Sequence, residues 1–308
     1  IIFISHALEE ALQIADRITV LRDGRVVASD ATPSFTREKI VQAMVGRNLT
    51  ETLHGRAKRT IRPYGERVLS IENLSCGAAV RNTSFSVFSG QVTGMFGLVG
   101  AGRTEMMRVV AGVMKRDFMH GGEVKLNGRS VRYRVPRAAV LDGIVYVTED
   151  RKIDGFFETM TVSENLQLGE LSRGANPLSI VSMREARTLA DYWTERLQLR
   201  SINAKARVIE LSGGNQQKIV IAKSLIQKPK VIIFDEPTRG VDVGAIVEIH
   251  ELINRLADEG LAVVVISSYL PEVMAVADRI LIAKRGKIVE EIRANEATEE
   301  RIMYAAVH

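Results

Sequence analysis

Leu211-Ser212-Gly213-Gly214-Asn215-Gln216-Gln217-Lys218 is the stretch whose reading decides the fold of this chain. It opens a helix-forming run, so the Ser212 hydroxyl and the Gly213 and Gly214 amides fall at a helix start. Unpaired N–H groups and the partial positive charge of the helix favour an anion there. Taken alone, a Ser-Gly-Gly turn that merely caps a helix reads the same. The apolar run Val231-Ile232-Ile233-Phe234 ends in Asp235 and Glu236, with Asp235 23 residues after Ser212. A buried strand ending in two acids can place one carboxylate at Mg2+ and the next beside an attacking water, although a solvated turn before Pro237 is the plainer alternative. Upstream, Gly97-Leu98-Val99-Gly100-Ala101-Gly102-Arg103-Thr104 follows a strand-like run and opens a helical one. Glycines let N–H groups converge on phosphate oxygens, and Thr104 stands where such a loop offers a hydroxyl to Mg2+. The usual loop Lys is Arg103, which leaves this turn, by itself, open between a phosphate loop and an ordinary strand-to-helix turn.

Taken in chain order, the three segments resemble the phosphate loop, signature and acid pair of ATP-binding-cassette proteins. GLVGAGRTE, TEDRKIDG, LSGGNQQK and DEPTRGVDVGA together are similar to the second cassette of fused bacterial monosaccharide importers, those for ribose, galactose, xylose and relatives. The resemblance implies an α/β P-loop cassette with an antiparallel β subdomain and a helical subdomain. It implies ATP and Mg2+ as ligands, with Gly97, Gly100, Ala101, Gly102, Arg103, Thr104 and Glu105 around the phosphates and Thr104 and Asp235 at the metal. Glu236 would be the catalytic acid, and Ser212, Gly213, Gly214 and Gln216 would meet the nucleotide held by a partner cassette across a dimer interface. Gly240-Val241-Asp242 would contact the opposite cassette, and Glu149 stands where other cassettes carry a Gln that senses the γ-phosphate and touches the membrane subunits. The implied partners are transmembrane permease subunits, a second cassette and, indirectly, a periplasmic sugar-binding protein, with no nucleic acid. The implied location is the cytoplasmic face of the bacterial inner membrane.

Self-similarity sets the domain plan. Residues 1–27 align without gaps on residues 263–289 at a constant offset of 262, sharing I-S-x-x-L-x-E, A-D-R-I, a turn Gly and Val. Each copy reads as buried strand, helix, second strand and hairpin turn. The expected plan is therefore the end of a first cassette at 1–46, an exposed basic linker at 47–67 and a second cassette at 68–308. The lack of an initiator Met fits a truncated chain. Residues 162–199 read as a helix-rich insertion, in which Ala186, Leu189, Ala190, Trp193 and Leu197 recur at helical spacing as core positions.

Departures from the family pattern matter as well. The resemblance implies a switch His after the last core strand, contacting the γ-phosphate; the repeat has His6 in the first copy and Ser268 in the second. Arg103 is a planar fork in place of a point ammonium. Glu105 brings negative charge to the phosphate turn or is a first-turn helix acid. Residues 75–80 hold no aromatic to stack on adenine. The expectation is that His6, closed by Ser212–Gly214, belongs to the hydrolysing site, and that Arg103, Thr104, Asp235, Glu236 and Ser268 form a degenerate one. Little ATPase activity is expected of this piece by itself.

Composition bounds the rivals. With 308 residues, 46% hydrophobic and 26% charged, the chain can bury a real core, and 42 basic against 37 acidic residues give a mild +5 that does not indicate nucleic acid. The single Cys76 excludes a disulfide framework and a multi-cysteine zinc site, which disfavours a zinc-bearing DNA-repair cassette. Its apolar runs are strand-sized, short of the roughly 20 residues that span a bilayer. A ribosome-associated cassette protein and a non-hydrolytic regulatory cassette are the alternatives carried forward.

Overall fold

The computed structural model describes residues 1–4, 8–22, 25–36, 39–40, 43, 61–174, 183–197 and 203–308. In chain order they form α1 (Leu8–Ile14), β1 (Arg17–Arg22), β2 (Arg25–Ala31), β3 (Arg67–Cys76), β4 (Val80–Phe88) and β5 (Gln91–Phe96). Then follow α2 (Arg103–Val110), β6 (Glu123–Leu126), β7 (Arg129–Val131), α3 (Pro136–Asp142) and β8 (Ile144–Val147). A π-turn at Arg151–Gly155 leads to α4 (Val162–Gly174), α5 (Met183–Arg196) and α6 (Gly213–Ile226). The last third alternates β9 (Val231–Asp235), α7 (Val243–Asp258), β10 (Ala262–Ile266), α8 (Leu270–Val276), β11 (Arg279–Lys284), β12 (Lys287–Arg293) and α9 (Glu299–Val307).

The runs of Val and Ile in β9 and β10 are buried along their whole length because they sit inside a six-stranded sheet, order β12-β11-β5-β10-β9-β8. All its pairings are parallel except β11 with β12. Ala262 pairs with both Gln91 and Val231, so β5, β10 and β9 run in step and their carboxyl ends emerge together. That shared edge is where an open parallel sheet binds ligands. One face of the sheet packs under the helical layer, where Leu166, Trp193, Ile219, Phe234 and Ile253 share a core. The other carries α2 and the antiparallel sheet β4-β3-β6-β7 around Leu69, Leu74, Met106, Met107 and Ile233. The expected stripe in the insertion is on α5: Ala186, Ala190 and Trp193 are buried, with Leu197 just beyond it, and Leu189 packs against the core that holds Ala190, Trp193 and Leu197.

Two expectations are corrected. Ile1–Ile4 are exposed and form no strand, whereas the equivalent β10 lies between β5 and β9. A strand persists only against neighbours, and no described residue pairs with this one. The C-terminal end of the basic linker is also not a free tether. Arg62 donates to Asp278 at 3.1 Å, to Asp258 at 2.7 Å and to the Asn254 carbonyl at 3.0 Å, while the Tyr64 ring meets Phe88 edge-on at 4.8 Å. Residues 61–66 therefore pack on the second unit ahead of β3. Residues 47–60, and with them the rest of the linker, lie outside the described residues.

Candidate functional site

The turn after β5 is shaped by backbone demands. Gly102 caps α2 at φ +89, and a side chain there would run into the Ala79 carbonyl, so only glycine serves. Gly97 is pressed against the Ala283 carbonyl, and Ala101 is buried. Gly100, at φ +79, faces open space, with nothing within 4 Å of the position a Cβ would take. The turn thus leaves open space at the start of a helix, where a phosphate group can approach. Glu105 lies in the first turn of α2 and is partly exposed.

Thr104 and Asp235 come together from α2 and β9: the Thr104 hydroxyl donates to Asp235 Oδ1 at 3.1 Å. Tyr146, on the neighbouring β8, donates to the other carboxylate oxygen, and Arg108 holds the Tyr146 hydroxyl at 3.2 Å. Asp235 is completely buried, and burial pushes its carboxyl up to about 6. Bonds from Tyr146 and Thr104 oppose the rise, and the charges of Glu149 and Glu236 add to it. Burial and the Asp235 charge likewise push the Tyr146 phenol well above its ordinary value. A hydroxyl and a carboxylate oxygen converging beside an open phosphate turn fit Mg2+, which takes few protein oxygens and fills its octahedron with water and phosphate oxygens.

Arg103 departs most from a phosphate-loop cation. It is buried; its guanidinium donates to the Ser267 carbonyl at 2.6 Å and lies 3.9 Å from Glu236 Oε1. Glu236 itself has φ +47, a left-handed backbone that costs a non-glycine residue, and its carboxylate accepts the Ser268 N–H at 2.6 Å. Ser268 thus meets Glu236 through its backbone. His6 lies outside the described residues.

On the helical side, Ser212 caps α6 by accepting the Asn215 N–H at 3.4 Å. Gln216 was expected to face a ligand; instead it is buried, and its amide donates to the Ile209 and Leu211 carbonyls at 3.3 and 3.0 Å. Glu149 is turned into an ion pair with Arg239, so its carboxylate is engaged within the chain. Sequence reasoning passed over Tyr146, Arg151 and Arg239. Arg151 and Arg239 stand inside the motifs TEDRK and DEPTRG, but their partners lie 65 to 90 residues away in sequence.

Solved structures share this architecture. An ATP-binding cassette of an ABC transporter aligns at TM-score 0.68 and 26% identity, covering 79% of this chain and 100% of that one. A nucleotide-free ATP-binding cassette from an ABC transporter gives TM-score 0.68 and 25% identity over the same shares. The fold is that of an α/β P-loop cassette with antiparallel and helical subdomains. The ABC transporter family matches residues 80–239, and the chain belongs to that family. The chain is 40% identical over 312 residues to the ribose import ATP-binding protein RbsA of Caldanaerobacter subterraneus subsp. tengcongensis, covering 100% of this chain and 60% of that protein. It is 42% identical to the xylose import ATP-binding protein XylG of Thermoanaerobacter pseudethanolicus, covering 99% of this chain and 60% of the relative. With RbsA of Bacillus subtilis the identity is 41%, at 99% and 60% coverage. The chain spans 60% of the length of each of these relatives.

Proposed function

We propose that this chain is the second ATP-binding cassette, preceded by the end of a first, of a two-cassette ATPase that energises import of a simple sugar across the bacterial inner membrane. Likeness to ribose and xylose import ATP-binding proteins along essentially the whole chain supports the transport reading over a ribosome-associated one. The domain plan of 1–46, 47–67 and 68–308 is retained as part of the proposal, with residues 61–66 docked on the second cassette. The protein would work at the cytoplasmic face of the membrane with permease subunits and, through them, a periplasmic sugar-binding protein. Among the described residues no helix is long and apolar enough to cross a membrane itself.

The two nucleotide sites of the whole protein are unequal in this proposal, and Arg103 is the observation that carries the inequality. Its charge is spent on the Ser267 carbonyl and faces Glu236, so the cation that a phosphate loop directs at the β- and γ-phosphates is drawn toward the catalytic acid. Glu236 is engaged by Arg103 and the Ser268 amide, so its carboxylate would be turned away from an attacking water. Thr104 and Asp235, whose oxygens lie 3.1 Å apart, would hold Mg2+, which would supply charge neutralisation on the phosphate oxygens. The competent site would combine the first cassette's phosphate loop and His6 with Ser212, Gly213 and Gly214 of this one.

The test is made in the full-length two-cassette protein with its permease. Ser212→Arg fills the signature turn and should lower ATP hydrolysis by 100-fold or more, on the order of the loss of an anion-stabilising donor. Arg103→Ala should leave at least about half of the turnover, since the site it serves contributes little. Loss of turnover in Arg103→Ala alone would overturn the assignment of the two sites.

A further inference from the structure

Arg151 ties together three segments that are far apart in sequence. It stands at the start of the π-turn that follows β8. Its NH1 donates to the Arg239 carbonyl at 2.6 Å and its NH2 to the Gly240 carbonyl at 3.0 Å, both in the loop after Glu236. Its Nε reaches Gln216 Oε1, in the first turn of α6, at 3.4 Å. The guanidinium is seated between two glycines. A Cβ on Gly213 would lie 3.0 Å from NH2 and 2.7 Å from the Gly240 carbonyl, and one on Gly240, at φ +64, would lie 3.5 Å from NH2. The bonds go to neutral oxygens, so the positive charge beside the signature turn is not cancelled by a carboxylate bonded to it. The same segment is fastened at its far end, where Lys223 of α6 donates to the Gly155 carbonyl. Beside Arg151, Glu149 pairs with Arg239, a second tie between the same two loops.

We infer that Arg151 is a positioning residue for the signature: it locks the Ser212–Gly214 turn, the loop at Arg239–Gly240 and the segment after β8 into one rigid unit. The turn is thereby presented to the partner cassette's nucleotide as a preformed anion site. A planar guanidinium can serve three acceptors in fixed directions, which a lysine ammonium on a flexible stem does not reproduce. The inference rests on the reading that Ser212–Gly214 act on the nucleotide held by the first cassette. A turn displaced by a fraction of an ångström still binds but stabilises the transferring phosphoryl group poorly, so the loss falls on kcat more than on KM.

In the full-length protein with its permease, Arg151→Ala is expected to lower kcat for ATP about 10- to 100-fold with KM changed less than about threefold. Arg151→Lys, which keeps the charge and loses the fork, is expected to recover only part of the lost rate and decides the matter if the alanine variant does not fold. Added guanidinium ion at millimolar concentration is expected to raise kcat of Arg151→Ala and leave wild type unaffected. Wild-type kcat in either variant, or a rise in KM with kcat unchanged, overturns the inference. Ser212→Arg separates the two levels: if it retains hydrolysis, the reading of the signature fails, whereas if it abolishes hydrolysis while Arg151→Ala does not, the positioning role alone fails.

Discussion

The two ends of the chain hold the same structure twice, in opposite surroundings. α1, β1 and β2 match α8, β11 and β12 residue for residue at the offset of 262, down to the bulge between Val20 and Leu21 that recurs between Ile282 and Ala283. The Thr32 amide donates to the Asp16 carbonyl and the Ala294 amide to that of Asp278, each at 3.0 Å. Thr36 accepts the Lys39 N–H as Thr298 accepts that of Arg301, at 3.3 and 3.2 Å. Yet Arg279, Ile280, Leu281, Ile282 and Ala283 of β11 are all buried, while in β1 Ile18 and Val20 are buried between exposed Arg17, Thr19 and Leu21, resting with Leu8 and Ile40 against Val247 of α7. Local sequence is enough to make the hairpin and its helix. How much each residue contributes depends on what is stacked against it.

The strongest test of that contrast is the paired aspartate. Asp278 is buried, accepts the Val92 N–H at 2.8 Å and holds Arg62, so Asp278→Ala should cost about 4 kcal/mol by leaving a backbone donor and a guanidinium without their acceptor. Asp16→Ala, at the exposed equivalent, should cost less than about 0.5 kcal/mol. Urea unfolding of the two variants measures the gap, and equal midpoints would break the comparison. Next in size is the paired isoleucine. Ile280→Ala removes hydrocarbon from a closed core and should cost about 3 kcal/mol, against about 1 kcal/mol for Ile18→Ala at the edge of a small cluster.

A smaller effect extends the contrast of burial to charge. Asp235, raised to about 6, binds its proton more tightly folded than unfolded in protein free of nucleotide and Mg2+. The stability this contributes is fully present below the unfolded value of about 4 and is lost as pH rises through about 6. Asp235→Asn should therefore gain on wild type by about 2 kcal/mol between pH 4 and pH 7. A constant difference across that range would show that burial does not hold the carboxyl protonated.

The parts of the site legible in the sequence are those for which the backbone leaves no choice. Gly97 and Gly102 must be glycine where carbonyls crowd them, and a strand of four apolar residues ending in Asp235-Glu236 has to emerge at a sheet edge. Arg62, Tyr146 and Arg151 were not legible, because each acquires its meaning from acceptors between 65 and 216 residues away. Gln216 shows the same limit in reverse: its place in the signature suggested a ligand, and the carbonyls of the preceding turn claimed its amide.

By itself, the sequence determined where most helices and strands lie, that one hairpin unit occurs twice, and that segments resembling a phosphate turn, a signature and an acid pair follow in order. Periodicity, glycine demand and capping are local, and they act the same way wherever the segment lies. Only the tertiary structure decided that β11 is core while β1 is mostly surface, and that Ile1–Ile4 form no strand. It also directed Arg103 to Ser267 and Glu236 and brought Arg151 onto two loops at once. Those outcomes depend on which carbonyls and side chains surround a residue after the chain has closed on itself, and hydrogen bonding and burial are set by that company.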